Sequence, residues 1–183
     1  MDRSNPRWHC CRCLHHPSVR AGLHHHGGGL FARFIRRTLW AMGCRCTCSW
    51  RGLAGEMGLG VIEVAVHAMR ERMNADASPI QVWLGPSIGP QAFEVGHEVR
   101  DAFCAVDARA IECFQPGPTK GKWWADLPAL ARMRLQALGV THITGNDGSP
   151  SWCTVTQPDL FFSHRRDRVS GRFAASIWRD VTA

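Results

Sequence analysis

A break in composition near residue 49 divides this chain into two parts with different folding prospects. Residues 1–48 contain eight Arg, no Lys and one acid (Asp2), together with six of the nine Cys and six of the ten His. Residues 49–183 contain fourteen basic and fourteen acidic side chains, so the net charge of +7 belongs wholly to the first part. The second part has balanced charge and dense apolar patterning, which suits one packed domain; 183 residues is the size of such a domain. No stretch reaches the roughly 18 to 20 apolar residues that a membrane-spanning helix needs. Met1 leads into polar residues, not the apolar core of a signal peptide, so a cytoplasmic protein without membrane association is expected.

Read as a functional arm, the first part suggests two chemistries. Cys10, Cys11, Cys13, His15 and His16, then His24 to His26, then Cys44, Cys46 and Cys48 are soft ligands suited to zinc or copper(I). Their spacing is adverse, because structural zinc sites place paired ligands about two to four residues apart, whereas these are adjacent or separated by one. The Arg excess suits phosphate neutralisation. It lacks Lys, a periodic face and the interleaved aromatic platform of single-strand binders, so nucleic acid is not the expected partner. The remaining reading is that residues 1–49 are out of frame or disordered and that the domain comprises residues 50–183.

From Trp50 onward the pattern is that of a folded protein. Ile62, Ala65, Val66, Met69 and Met73 recur at helical spacing, which predicts an amphipathic helix beginning near Met57 or Gly60. Ile80 to Leu84 reads as a short buried strand, ended by Gly85-Pro-Ser-Ile-Gly-Pro90. Val95, Val99 and Phe103 predict a second helix with Glu94, Glu98 and Arg100 in water, and Gln115 to Gly121 reads as a loop. Asp126 is a suitable N-cap for a helix from Leu127, with Pro128 in its first turn, buried Leu127, Leu130, Ala131, Leu135 and Leu138, and Gly139 just past its end. Val140 to Thr144 and Arg172 to Trp178 are further strand candidates. The order of elements indicates a layered α/β or α+β domain without internal repeats.

Five ordered motifs in this second part carry a family resemblance. Trp50-Arg-Gly-Leu53, Trp83-Leu-Gly-Pro-Ser-Ile-Gly-Pro-Gln-Ala-Phe-Glu-Val-Gly96, Trp124-Ala-Asp-Leu127, Cys153-Thr154 and Phe161-Phe-Ser-His-Arg-Arg-Asp167 with Gly171-Arg172 resemble the YfiH-type laccase-domain family. That family is also called multicopper polyphenol oxidase or purine nucleoside phosphorylase. Ser163-His164-Arg165-Arg166 departs mildly from its common Ser-Tyr-Arg-Arg. The resemblance implies an α+β fold, a layered mixed-sheet sandwich with helices packed outside, incomplete here at the N-terminus.

It also implies zinc, or copper under the older oxidase label, held by an early His, the Cys of Ala-Asp-Cys-Leu-Pro-Val-Leu-Phe and the His of His-Ala-Gly-Trp-Arg-Gly. Aligned on Trp50-Arg51-Gly52, that second His falls at Thr47, the Ala-Asp-Cys segment is missing, and the first His falls before Met1. The chain as written therefore has no family metal ligand. A one-nucleotide shift accounts for this. Cys44-Arg-Cys-Thr-Cys48 can be encoded TGC CGC TGC ACA TGC, which one nucleotide later reads Ala-Ala-Ala-His-Ala. Codons for Gly28 to Arg36 can likewise be chosen to read Ala-Asp-Cys-Leu-Pro-Val-Leu-Phe, restoring Cys at Leu30 and His at Thr47, seventeen residues apart.

The chemistry implied by the resemblance is phosphorolysis of adenosine, inosine or methylthioadenosine, or deamination of adenosine, at a zinc with an open coordination position. Its partners are a purine nucleoside and phosphate. Arg51, Arg165 and Arg166 are the phosphate candidates, as guanidinium forks; for Arg166 and Arg172, ion pairing or loop fixing is an equal alternative. Trp50, Gly52, Gly85, Pro86, Gly89, Pro90 and Cys153 are motif residues expected to line the site, although the glycines and prolines serve equally as structure. His67, His97 and His142 read as surface or satisfied histidines, Cys104 and Cys113 as reduced core thiols, and Trp123 and Trp124 as core or pocket wall. No catalytic residue is assigned. The chain is expected to be inactive or impaired, and the alternative is a non-enzymatic metal- or nucleic-acid-binding protein that uses the basic Cys/His-rich arm.

Overall fold

The structure, a computed structural model, describes residues 30–36, 44–72 and 79–171. Two strands, β1 (Leu30–Arg36) and β2 (Cys44–Cys48), precede a short helix α1 (Trp50–Ala54) and the long α2 (Val61–Arg72). β3 (Ile80–Leu84) and the two-residue β4 (Glu94–Val95) lead into α3 (His97–Cys104) and a 3-10 turn at Ala108–Cys113. β5 (Phe114–Pro116), β6 (Trp123–Ala125), α4 (Leu127–Ala137) and β7 (His142–Gly145) follow, then a 3-10 turn at Pro150–Trp152 and α5 (His164–Asp167). The architecture is mixed α and β, as expected.

Two sheets organise these elements. The larger has the order β2-β1-β3-β7, with β1 antiparallel to both neighbours and β3 parallel to β7. The smaller has the order β4-β6-β5, all antiparallel. β1 and β2 come from residues 30–48, so the larger sheet draws on both sides of the boundary expected at 49/50. Residues 1–29, where all six of the arm's His and three of its six Cys lie, the strand expected at Arg172 to Trp178, and Met73 fall outside the described residues.

The core forms where the sequence periodicity put it. Ile62, Ala65, Val66 and Met69 of α2 are fully buried, as are Leu130, Ala131 and Leu135 of α4, with Val82 and Leu84 of β3 beneath them in one cluster. Fully burying one of the larger of these, a Val, Leu, Ile or Met, contributes about 1.5–3 kcal/mol. Asp126 caps α4 through its carboxylate, which accepts from the Ala129 N–H at 2.8 Å. Burial pushes the Asp126 carboxyl up, against the Ala129 bond and the Arg132 charge. Gly139 takes the positive φ of 73° that ends the helix.

Three expectations need correction. α2 starts at Val61, next to the expected Gly60, and the alternative start at Met57 fails because Met57 lies in a turn at a φ of 50°. Val95 and Glu94 belong to strand β4, and α3 starts after the extended Gly96; Val99 and Phe103 alone carry its buried face. Gln115 and Pro116, read as loop, are the end of β5, and only residues 117–122 turn back into β6.

Candidate active site

The strand directions bring the Trp50–Leu53 motif and the Gly85–Pro90 loop to one end of the larger sheet. Leu30, the first residue of β1, pairs with Cys48, the last of β2, and Phe31 pairs with Thr47. Ala32 pairs with Leu84, the last residue of β3, and Leu84 pairs with Gly145, the last of β7. The start of α1, the Gly85–Pro90 loop after β3 and the turn after β7 therefore all leave from this edge. Ligand sites of open sheets with parallel strands commonly lie in the crevice beyond the strands' carboxyl ends.

On this edge Trp50 and Arg51 open α1. Arg51 is exposed, with its guanidinium carbon 4.8 Å from the centroid of the Trp50 ring. Gly52 is half-buried, directly before Leu53 and Ala54, which enter the core. Behind α1, the buried Arg134 of α4 donates to the Ala54 and Gly58 carbonyls and pairs with the buried Glu63 carboxylate at 2.8 Å. The other Glu63 oxygen accepts from the Gly60 N–H at 2.8 Å. One guanidinium thus ties α1, the turn after it, α2 and α4 together.

The Gly85–Pro90 loop is zipped to the segment around Cys153. The Ser87 N–H donates to the Trp152 carbonyl at 3.2 Å and the Thr154 N–H to the Ser87 carbonyl at 2.9 Å, a parallel bridge between Ser87 and Cys153. Cys153 is buried, and its Sγ accepts from the Gly89 N–H at 3.2 Å. Burial pushes the Cys153 thiol up, but hydrogen bonds from the Thr156 hydroxyl and from the backbone N–H groups of Thr156, Gly89 and Val155 outweigh it and hold it below the usual thiol range. Cys113 is the opposite case, pushed up to about 11 by burial and by the nearby Asp126 and Glu112 carboxylates. Both Cys113 and Cys104 are half-buried, in line with structural thiols.

The two arginines of α5 have different duties. Arg166 uses its whole fork within the chain: it donates to the Thr154, Val155 and Phe161 carbonyls and pairs bidentately with Asp167 at 2.7 and 2.8 Å. Arg165 is exposed, its guanidinium carbon 5.3 Å from the Phe93 ring centroid and one nitrogen 3.4 Å from the Glu94 carbonyl. Arg51 and Arg165 thus lack the multiple internal bonds of Arg166, which fixes loops. His67, His97 and His142 are exposed, and Trp123 packs under the Arg100 guanidinium at 4.1 Å as part of the smaller sheet.

The residues at the metal positions that the resemblance implies do not fit a zinc ion. Leu30 offers no donor and Thr47 no soft one, so the ladder end where a Cys and a His are implied holds neither at those positions. Among the described residues no group of three His, Cys, Asp or Glu could hold a metal.

Sequence reasoning did not single out Glu63, Arg132, Arg134 or Asn146, each of which has a partner eleven to eighty residues away. Buried charge at Glu63 and Arg134, on otherwise apolar helix faces, is the one signal that was available.

The chain belongs to the family of multi-copper polyphenol oxidoreductase laccases, which matches residues 29–180. It is the YfiH-type laccase-domain family anticipated from the motifs. A purine nucleoside phosphorylase of Pseudomonas aeruginosa is 44% identical over 129 residues, covering 70% of this chain and 48% of that protein. The Escherichia coli purine nucleoside phosphorylase YfiH is 47% identical over 130 residues, covering 70% and 47%. An adenosine deaminase, RL5, from an unknown prokaryote is 34% identical over 131 residues, covering 71% of this chain and 46% of that protein. Among solved structures, a Neisseria meningitidis protein superposes with a TM-score of 0.64 at 35% identity, covering 84% of this chain and 57% of that one. YlmD from Geobacillus stearothermophilus gives 0.66 at 29% identity, covering 82% and 53%. The chain spans about half the length of these curated relatives.

Proposed function

We propose that the intact protein processes purine nucleosides, by phosphorolysis or by deamination of adenosine, and that the chain as translated here is impaired because residues 1–49 are out of frame. The observation that carries this reading is the convergence at one sheet end of the Leu30 and Thr47 positions, Trp50 and Arg51, the Gly85–Pro90 loop and the Cys153 segment. Similarity to proteins named purine nucleoside phosphorylase and adenosine deaminase supports the substrate class.

In phosphorolysis, a phosphate oxygen attacks the ribose C1′ as the bond to the base breaks. The protein's task is to hold the phosphate and exclude competing water. Of the three candidate arginines, Arg51 and Arg165 have guanidinium donors outside a buried fork, and Arg166 acts indirectly by fixing the loops that carry Cys153 and Phe161. The implied zinc belongs to the in-frame protein, with Cys at position 30 and His at 47.

Two measurements test this. The nucleotide sequence upstream of the Trp50 codon, read one nucleotide later, is expected to encode Ala-Asp-Cys and His-Ala. The chain purified as written is expected to carry no stoichiometric zinc and to release no adenine from adenosine and phosphate. Stoichiometric zinc together with phosphorolysis by the chain as written contradicts the impairment, and a shifted frame full of stops contradicts the frame reading.

A further inference from the structure

The loop that carries Gly85, Pro86, Gly89 and Pro90 is anchored by a side chain outside every motif. Asn146 is the first residue past β7 and only 1% exposed. Its Nδ2 donates to the Gly85 carbonyl at 3.0 Å and to the Ser87 Oγ at 3.0 Å, while its Oδ1 accepts from the Gly148 N–H at 2.9 Å. Its backbone N–H donates to the Leu84 carbonyl at 2.8 Å, extending the junction of β3 and β7 by one residue. Its carbonyl accepts from the Arg132 guanidinium at 2.8 Å. The loop after β3 is therefore stitched to the turn after β7 by one carboxamide.

The geometry demands a carboxamide. Two donors must face the Gly85 carbonyl and the Ser87 hydroxyl while an acceptor faces the Gly148 N–H, and among side chains of this length only Asn supplies both kinds. Aspartate has the same shape but would turn a carboxylate oxygen towards the Gly85 carbonyl. The second anchor is Cys153, whose Sγ accepts from Gly89 four residues further along the loop. The approach is close: a Cβ at position 89 would lie 3.0 Å from the Cys153 Cβ.

We propose that Asn146 is a positioning residue that fixes the Gly85–Pro90 loop across the end of the larger sheet, with Cys153 as its second anchor, so that the loop presents a preformed wall to a purine nucleoside. The wall's role in nucleoside binding rests on the functional reading above. The anchoring itself rests only on the hydrogen bonds.

The test compares the full chain with its Asn146→Ala, Asn146→Asp and Cys153→Ser variants by amide hydrogen exchange and near-ultraviolet circular dichroism, with and without adenosine. In both Asn146 variants the amides of residues 86–93 are expected to exchange at least ~10-fold faster, while those of α4 keep their protection. The dichroism of the Trp83–Trp152 pair, edge to face at 6.1 Å, is expected to fall with them. Cys153→Ser keeps an acceptor for the Gly89 N–H and is expected to retain most of the loop's protection. Unchanged exchange in 86–93 for Asn146→Ala overturns the proposal, as does a loss that α4 shares equally, since Asn146 would then support only overall stability. The adenosine arm separates the two ideas. Adenosine that slows exchange in 86–93 equally in the wild type and Asn146→Ala overturns positioning. If it leaves the loop unchanged in the in-frame protein as well, with Cys at position 30 and His at 47, the purine reading of this loop fails while the anchoring is still decided by the ligand-free comparison.

Discussion

At the scale of single residues, the most consequential side chain outside the motifs is Arg134. It is 7% exposed, as is its partner Glu63, and it makes bonds to two carbonyls as well as the carboxylate. A buried ion pair adds little over a well-packed apolar pair, but removing one partner strands the other charge at a cost of about 3–5 kcal/mol. Arg134→Met is therefore expected to lower unfolding stability by about that amount in urea titration, and Arg134→Lys is expected to recover little, because an ammonium lacks the planar fork. A stability within about 1 kcal/mol of wild type for Arg134→Met would show that the network carries no such weight. The contrast between Cys153 and Cys113 belongs to the same scale. Both are cysteines with burial acting on them, yet one is surrounded by donors and the other by carboxylates, so their thiols move in opposite directions. Nothing in the words Cys-Thr or Glu-Cys announces that difference, because the groups responsible include Gly89 and Asp126, distant in sequence.

At the scale of elements, glycine positions separate local strain from collision. Gly139 has a φ of 73° and open space around it: an added Cβ would meet only the Arg70 guanidinium, at 3.8 Å. Gly145 has a φ of 81° and no such space, since a Cβ there would fall on the Leu84 carbonyl, at the parallel junction with β3. Gly139→Ala is expected to cost about 1 kcal/mol, as for a side chain forced into the left-handed region. Gly145→Ala is expected to cost distinctly more, because strand pairing must shift; thermal unfolding of the two variants checks the order, and equal costs would contradict it. The elements themselves were legible to different degrees. α2 and α4 showed in the sequence because a helix repeats its buried face several times, and Asp126 and Gly139 mark the ends of α4. β4, β5 and β6 did not show, because two or three residues cannot display an alternation. Val95 carries a helical signal because it stands four residues before Val99, while Gly96 keeps the chain extended between them. The candidate site was legible only as motifs. Its unity at one sheet end depends on strand directions that no local pattern encodes.

At the scale of the molecule, the larger sheet crosses the compositional break. β1 lies between β2 and β3, so the apolar residues of β3 owe one of their two ladders to a strand from the charged, Cys-rich part of the chain. The family match also begins before the break, at residue 29, although the specific motifs start at Trp50. A chain beginning at residue 29 keeps every strand described here, whereas one beginning at residue 49 loses β1 and β2 and leaves the whole edge of β3 unpaired. An unpaired strand that contains Ile80, Val82 and Leu84, all buried in the intact fold, is a template for pairing with other copies. Removing residues 1–28 is therefore expected to leave the unfolding temperature and elution volume close to those of the full chain, and removing residues 1–48 to produce aggregates in size-exclusion chromatography. If the shorter chain instead remains monomeric with an unchanged unfolding temperature, the domain is complete from Trp50 and the strands before it add nothing to it. That outcome would also remove the sheet end from the functional argument, because the Leu30 and Thr47 positions would then have no fixed place beside Trp50 and the Gly85–Pro90 loop.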